Sequence, residues 1–369
     1  MNYPNKENSP KNTVAYAETV SQLNRLVNQV AKWLDGSGPE ANCIISSRIR
    51  LARNLSHFPF TNRANLDHLE QVLTKVKEAL PAISILRNSL FVELSLLSPL
   101  DRNFLKERRL ISLNLADQNY PAGLIMTPDE VISVMINEED HLRLQVIQSG
   151  LEMTLAWKLI SKLDDQMGHL LEYAYSDHFG YLTACPTNTG TGMRASIFIH
   201  LPALALTGEI DKIVKDLAPS EIAIRGFYGE GSEVWGNIFQ ISNQLTLGRT
   251  EEHILERLEF IAKKFLDLEL QARENLMRHN KIVVEDKVYR AYAILEKARI
   301  LSSSEFIGLM SALRLGIDTG LIQGISSKTL NELMVLVQPA HIQKLYKRKM
   351  DAHQRDILRA ELVRQKLHL

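Results

Sequence analysis

Between Ile132 and Val146 the chain alternates with a period of two. Ile132, Val134, Ile136, Leu142, Leu144 and Val146 share one parity, whereas Asn137, Glu139, His141, Arg143 and Gln145 share the other. Successive side chains of a strand project to opposite faces. The pattern therefore specifies a sheet with one oily face and one face bearing acid, imidazole and guanidinium. It places Glu139, His141 and Arg143 on the same side. Ala122–Met126 precedes this stretch across Pro128-Asp129-Glu130, and the two read as a hairpin.

Further strands are expected at 44–51 and 91–97, and within 181–201 and 221–247, where loops interrupt them. Helical spacing runs over 13–35 through Val14, Leu23, Leu26, Val27, Val30 and Leu34, and Gly36-Ser37-Gly38-Pro39 ends it. Residues 151–173 and 251–278 also carry helical periodicity, and from about 283 onward the pattern is helical throughout. Ser302 with Glu305 forms a capping-box signal, and Ser326-Ser327 offers another helix start. The fold class is α+β: an antiparallel-sheet domain followed by a smaller all-helical C-terminal domain. The expected division is a tail and helix over 1–40, the mixed domain over 41–272 and the helical domain over 283–369. A chain of 369 residues has room for both cores.

Charge narrows the function classes. Lys plus Arg and Asp plus Glu each number 43, so net charge is zero and a general nucleic-acid binder is not expected. Cys43 and Cys185 are too few for a disulfide framework or a zinc site, which fits a reducing cytosol. Residues 1–12 are polar and carry no apolar h-region. No apolar run approaches the ~20 residues of a membrane span. A cytoplasmic protein is expected.

The chemistry sits in separated segments. Ser46-Ser47-Arg48-Ile49-Arg50 places Arg48 and Arg50 on one strand face. Arg143, Arg194 and Arg225 stand in other unusual segments. Any one of them alone is an ordinary surface ion-pair partner; five in such settings suit phosphate oxygens, which planar guanidinium forks match. Neither a GxxxxGK[ST] loop nor the HRD and DFG kinase signatures occur, so arginines would have to cradle a triphosphate. Glu138, Glu139 and Asp140 read as a solvated acidic run or as part of a site, and parity selects Glu139 as the one facing with Arg143. Glu230 ends Arg225-Gly226-Phe227-Tyr228-Gly229-Glu230, whose glycines permit a mobile loop. A guanidinium is a poor nucleophile because its lone pairs are delocalised and it stays protonated. Two carboxylates would hold it in line and take up its proton. Cys185 opens Cys185–Arg194, a Gly- and Thr-rich turn. Its thiol reads as a small buried hydrophobe, an orienting thiolate or a covalent nucleophile. Arg355, Asp356 and Arg359 lie on a C-terminal helix, with the arginines at i, i+4. They form a charged helix surface or a receptor for a phosphorylated group.

The segments Ser46–Asn54, Asn137–Arg143, Cys185–Arg194 and Arg225–Glu230 together resemble the catalytic domain of the phosphagen (guanidino) kinases. A helical domain after that block, not before it, resembles the bacterial branch that phosphorylates protein arginines. The resemblance implies that Glu139 and Glu230 hold the acceptor guanidinium, with Glu139 the base, and that Cys185 lies beside it. It implies magnesium ATP surrounded by Ser46, Ser47, Arg48, Ile49 and Arg50, by Arg143, by Arg194, Ala195, Ser196, Ile197 and Phe198, and by Arg225 to Glu230. No protein metal ligand is implied. Arg355, Asp356 and Arg359 resemble the family's phosphoarginine-binding allosteric motif. Arg109 stands where the family generally has a nucleotide-contacting histidine. The resemblance further implies a stress-response role, a zinc-finger activator protein, a Clp AAA+ protease and a homodimer. Two alternatives remain open, a phosphoarginine-reading adaptor of weak or absent activity and a kinase of small guanidino compounds. A hydrolase using Cys185 leaves the arginine set unexplained.

Overall fold

The computed structural model describes residues 19–217, 221–226 and 235–367. Its described strands are β1 (Ile44–Arg53), β2 (Leu90–Glu93), β3 (Gly123–Met126), β4 (Ile132–Ile136), β5 (Leu142–Ser149), β6 (Tyr175–Ser176), β7 (Gly180–Tyr181), β8 (Met193–His200), β9 (Ile222–Gly226) and β10 (Ile238–Asn243). Eight of them form one sheet in the order β2-β3-β4-β5-β1-β8-β10-β9, with every pairing antiparallel. β6 and β7 make a separate two-stranded ribbon.

Alternation along the strands sorts the two faces. Ile49, Leu51, Val134, Ile136, Leu144, Val146, Ala195 and Ile197 enter one apolar core. That core also takes buried residues of helices α2 (Leu66–Ala79), α5 (Met153–Leu171) and α8 (Glu251–His279). On the other face Ile147, Phe198 and Ile238 join a second core, built mostly from the C-terminal helices.

The long alternating stretch is a tight hairpin, not a single strand. Asn137 takes a left-handed backbone with φ 56°, and its side chain donates to the carbonyls of Leu69 (2.8 Å) and Pro121 (2.9 Å). Asn137 N then donates to His141 O and Glu138 N to Asp140 O, which turns the chain between β4 and β5. The oily parity survives in each strand. His141 does not share the Arg143 face: it is buried, its Nδ1 accepts from Leu55 N at 3.1 Å and its Nε2 lies 3.0 Å from Pro59 O.

Near the N-terminus the helix α1 is described over residues 19–26 and ends before the Val27, Val30 and Leu34 of its periodicity, and Ala31 is extended. Tertiary bonds claim the carbonyls that a longer helix would use. His341 Nε2 lies 3.0 Å from Val27 O, and Arg108 Nη2 donates to Gln29 O. The strand expected at 91–97 ends at Glu93 and turns into a short 3-10 segment. α2 and α3 (Pro99–Glu107) start at caps that the sequence displays: Asn65 accepts from His68 N, and Ser98 accepts from Asp101 N with Pro99 behind it.

Four short helices, α4 (Leu113–Asp117), α6 (Pro202–Thr207), α7 (Ile210–Leu217) and α12 (Pro339–Leu345), join longer ones: α9 (Lys281–Lys297), α10 (Ser303–Asp318), α11 (Ser327–Leu336) and α13 (Ala352–Leu367). Ser302 caps α10 by accepting from Glu305 N, and Ser326 caps α11 by accepting from Thr329 N. Polar bonds tie this bundle to α3 and to the sheet. Glu107 accepts from Ala340 N and His341 N, both at 2.8 Å, and His200 Nε2 lies 2.8 Å from Ser311 Oγ. Among the described residues no helix is long and apolar enough to cross a membrane.

Candidate active site

Strand register gathers the arginines. Arg50 stands between Gln145 of β5 and Arg194 of β8, Ala52 lies opposite Arg143, and Gln240 lies opposite Arg225. Cross-strand partners share a face. Arg48, Arg50, Arg143, Arg194 and Arg225 accordingly line one cavity of about 370 Å³, together with Glu139, Cys185, Thr187, Asn188, Gly192 and Gln240.

Five like charges in one cavity repel one another. Burial pushes the Arg48 guanidinium down to about 9, and Arg109, Arg194 and Arg143 push the same way. Burial also moves Arg50 well below its ordinary value, reinforced by Arg48, Arg143 and Arg194 and opposed by Glu138. Arg50 Nε is buried with no hydrogen-bond partner. Arg48 Nε donates to Ser196 Oγ at 3.2 Å and Arg194 Nη2 to Ser242 Oγ at 3.3 Å. These hydroxyls orient the forks without cancelling their charge. An anion entering the cavity would remove the repulsion and satisfy the open donor.

The acidic turn divides its labour. Glu138 is buried, accepts from Ser112 Oγ at 2.6 Å and pairs with Arg143 Nη1 at 2.8 Å. Glu139 keeps 40% of its side chain exposed, with Arg143 Nη2 at 3.3 Å and Asn188 Nδ2 at 3.4 Å. Asp140 is buried and accepts from Asn54 Nδ2 (2.6 Å) and Ala184 N (2.7 Å). Asp140 therefore clamps the end of β1 to the loop that carries Cys185. Burial raises the Asp140 pKa, and the bonds to Ala184 and Asn54 pull it back.

That loop is fixed from beneath. Thr246 Oγ1 donates to Thr187 O (2.9 Å) and Thr189 O (2.7 Å). Arg53 is buried, grips Asp164 through both oxygens, donates to Thr191 O at 2.9 Å and stacks 3.4 Å from the Tyr181 ring centroid. Gly192 has φ 65°, and a Cβ there would lie 2.6 Å from both Ala52 O and Arg53 Nη1. At the loop's start Cys185 Sγ lies 3.0 Å from Thr187 Oγ1.

A second cavity of about 530 Å³ adjoins the first and shares Arg48 and Arg50. Trp33, Ile111, Leu113, Met135, Met334 and Val335 give it apolar walls, the last two from α11. Arg109 lines it too, with φ 64°, its carbonyl accepting from Gln145 Nε2 at 2.8 Å. The Arg48 and Arg109 guanidiniums lie 5.2 and 5.4 Å from the Phe198 ring centroid.

Other sequence candidates stand elsewhere. Ile49, Ala195 and Ile197 pack in the oily core on the opposite face, and the Ser47 hydroxyl donates to Gly150 O. They shape the strands without lining the cavity. Ser46 is buried opposite Phe198, and Gly226 ends β9. Phe227, Tyr228, Gly229 and Glu230 lie outside the described residues. On α13, Arg355 Nη1 donates to Met350 O, and Arg359 is buried, donating to Val337 O (2.9 Å), to Leu301 O (2.8 Å) and to Asp356. Asn54, Glu138, Asp140, Asn188 and Gln240 serve the cavity although sequence pattern assigns none of them a role of its own. Asn54 closes the Ser46–Asn54 run and Glu138 and Asp140 border Glu139, whereas Gln240 carries no local signal. Among the described residues no group of three or more His, Cys, Asp or Glu side chains gathers to hold a metal.

Comparison with known proteins places this geometry. Residues 71–272 match the family model described as the ATP:guanido phosphotransferase C-terminal catalytic domain. Residues 281–369 match that of the protein-arginine kinase McsB C-terminal domain. A protein-arginine kinase of Pelotomaculum thermopropionicum is 45% identical over 340 residues, covering 91% of this chain and 96% of that one. Those of Halothermothrix orenii (43% over 348 residues, 94% and 99%) and Bacillus subtilis (41% over 342 residues, 92% and 94%) are similar. Among solved structures, lombricine kinase superposes with a TM-score of 0.57 at 24% identity, covering 69% of this chain and 77% of that one. The taurocyamine kinase of Schistosoma mansoni gives 0.57 at 24%, covering 72% and 38%, so the likeness in both cases is one of fold. The chain is a phosphotransferase that belongs to the protein-arginine kinases, within the ATP:guanido phosphotransferase family.

Proposed function

We propose that this enzyme transfers the γ-phosphoryl group of ATP to arginine side chains of proteins. One observation carries the reading: five guanidiniums from four strands line the same cavity as Glu139 and Cys185. The forks suit the phosphate chain, and the apolar walls of the adjoining cavity suit the nucleoside. Magnesium, when bound, would neutralise part of the phosphate charge. On this reading the phosphate oxygens would supply its ligands.

The acceptor guanidinium enters toward Glu139, whose exposed carboxylate already attracts Arg143 and Asn188. Glu230 is the second carboxylate on this reading. A guanidino nitrogen attacks the γ-phosphorus in line, a P–N bond forms as the bond to the β,γ-bridging oxygen breaks, and ADP leaves with that electron pair. Glu139 takes the proton released by the nitrogen. Positioning and electrostatic stabilisation supply the catalysis. The loop anchored by Asp140 sets Cys185 beside the acceptor. The family resemblance extends the proposal to a stress-response role in which a zinc-finger activator protein assists and a Clp AAA+ protease receives the marked proteins, with the kinase as a homodimer.

Incubation with magnesium ATP and an arginine-rich protein is expected to leave acid-labile, base-stable phosphate on that protein. Glu139→Ala should lower the rate by roughly 10²-fold or more, the scale of a lost general base. Undiminished transfer in that variant would refute the role of Glu139, and consumption of free arginine without protein labelling would favour a small-molecule kinase.

A further inference from the structure

Four large apolar side chains stand in solvent around the loop that carries Cys185. Tyr175 is 58% exposed, Phe179 50%, Leu245 46% and Leu247 55%. Tyr175 and Phe179 belong to the β6–β7 ribbon. Tyr175 pairs with Tyr181, their rings 5.3 Å apart edge to face, and Tyr181 exchanges two backbone hydrogen bonds with Gly190. Leu245 and Leu247 flank Thr246, whose buried hydroxyl donates to Thr187 O and Thr189 O. A Cβ on Gly190 would meet Leu247 Cα at 2.8 Å, and one on Gly180 would meet Gly190 O at 2.5 Å. Ribbon, loop and residues 245–247 are thus one contiguous layer. The same loop lines the arginine cavity through Cys185, Thr187 and Asn188.

Single exposed apolar residues are ordinary on any surface, but several gathered beside a polar cavity mark a binding surface. Tyr181 and Thr246 make the bonds that join the ribbon and residues 245–247 to the loop. The cavity is lined almost wholly by charged and polar groups, so it suits phosphate and guanidinium and offers little to the apolar neighbours of an acceptor arginine.

We infer that this patch docks the polypeptide bearing the acceptor arginine and favours acceptors with apolar residues within two positions of it. The inference rests on the transfer reading given above. A residue two positions away lies up to ~7 Å along an extended chain, so an arginine reaching toward Glu139 leaves its neighbours over the loop. Folded proteins bury most residues of that kind, so the surface selects extended, unpacked segments.

Two peptides with one arginine each test this, one flanked by Leu and Phe and one by Ser and Gly. Transfer is read as acid-labile phosphate and peptide affinity by calorimetry, on the full chain. The parent is expected to favour the apolar peptide about tenfold or more, the scale of one or two buried side chains. The double substitution F179S/L247S should bring the two peptides within about twofold. The KM for ATP and the rate on the Ser-flanked peptide should be unchanged. Equal use of both peptides by the parent, or a preference that survives the double substitution, would overturn the inference. If the parent phosphorylates neither peptide, the transfer reading falls, and the calorimetric preference alone decides the surface.

Discussion

Arg50 shows how the cavity is poised. Its guanidinium is pushed toward neutrality by burial and by Arg48, Arg143 and Arg194, and its Nε is buried without a partner. Each feature is a cost that an anion bound in the cavity would relieve. Cys185 lines the same cavity, where its sulfur lies 3.0 Å from Thr187 Oγ1, and on the proposed reading it serves the acceptor. Cys185→Ala is therefore expected to slow transfer by roughly tenfold or more while moving the dissociation constant of magnesium ATP by less than about threefold. A large rise in that constant, measured by calorimetry, would place the thiol on the nucleotide side. Much at this scale was legible in sequence, because alternation alone puts Arg48 with Arg50 and links Arg143 to one face. What was hidden depends on contacts between distant segments. Glu138 rather than Glu139 makes the shorter bond to Arg143, because Ser112, far off in the chain, fixes its carboxylate.

Among elements, the loop from Cys185 to Gly192 owes its shape to close backbone packing. Gly192 sits in the left-handed region with Ala52 O in the place of a side chain. Gly192→Ala should cost about 1–3 kcal/mol for the backbone conformation and more for the clash, lowering Tm by several degrees. An unchanged thermal midpoint would contradict that packing. Strands, long helices and the Ser302 and Ser326 caps followed from local pattern, since period and capping chemistry are properties of neighbours in sequence. The turn at 137–141 was not legible, because Asn137 adopts a positive φ while bonded to Leu69 and Pro121. The early end of the N-terminal helix was hidden for a similar reason, with His341 and Arg108 taking its carbonyls.

At the scale of the whole molecule, the helical bundle closes the second cavity and fastens to the end of α3 through Glu107. This carboxylate accepts the first amides of α12, yet burial raises its pKa from 4.5 to about 7, with those amides opposing. An acid whose native pKa is raised keeps a proton that the unfolded chain gives up. Its contribution to stability is full below 4.5 and is lost as pH rises toward 7. Glu107→Gln does not titrate. Its stability relative to the parent should therefore rise across that window, by up to about 1.4 kcal/mol per pH unit, as followed by denaturant unfolding. A difference independent of pH would show that Glu107 is not held this way. The helical character of the C-terminal region was legible, but its contribution of Met334 and Val335 to a cavity beside Arg48 and Arg50 was not. No local pattern records which face of α11 meets the sheet.

The central claim is that five guanidiniums from four strands act on one triphosphate. Calorimetric titration of magnesium ATP into the parent and into single alanine substitutions of Arg48, Arg50, Arg143, Arg194 and Arg225 tests it most directly. The account predicts one nucleotide per chain and a dissociation constant raised roughly ten- to hundred-fold by each substitution, the scale of a lost charged hydrogen bond. Two or more substitutions that leave the constant unchanged would contradict it.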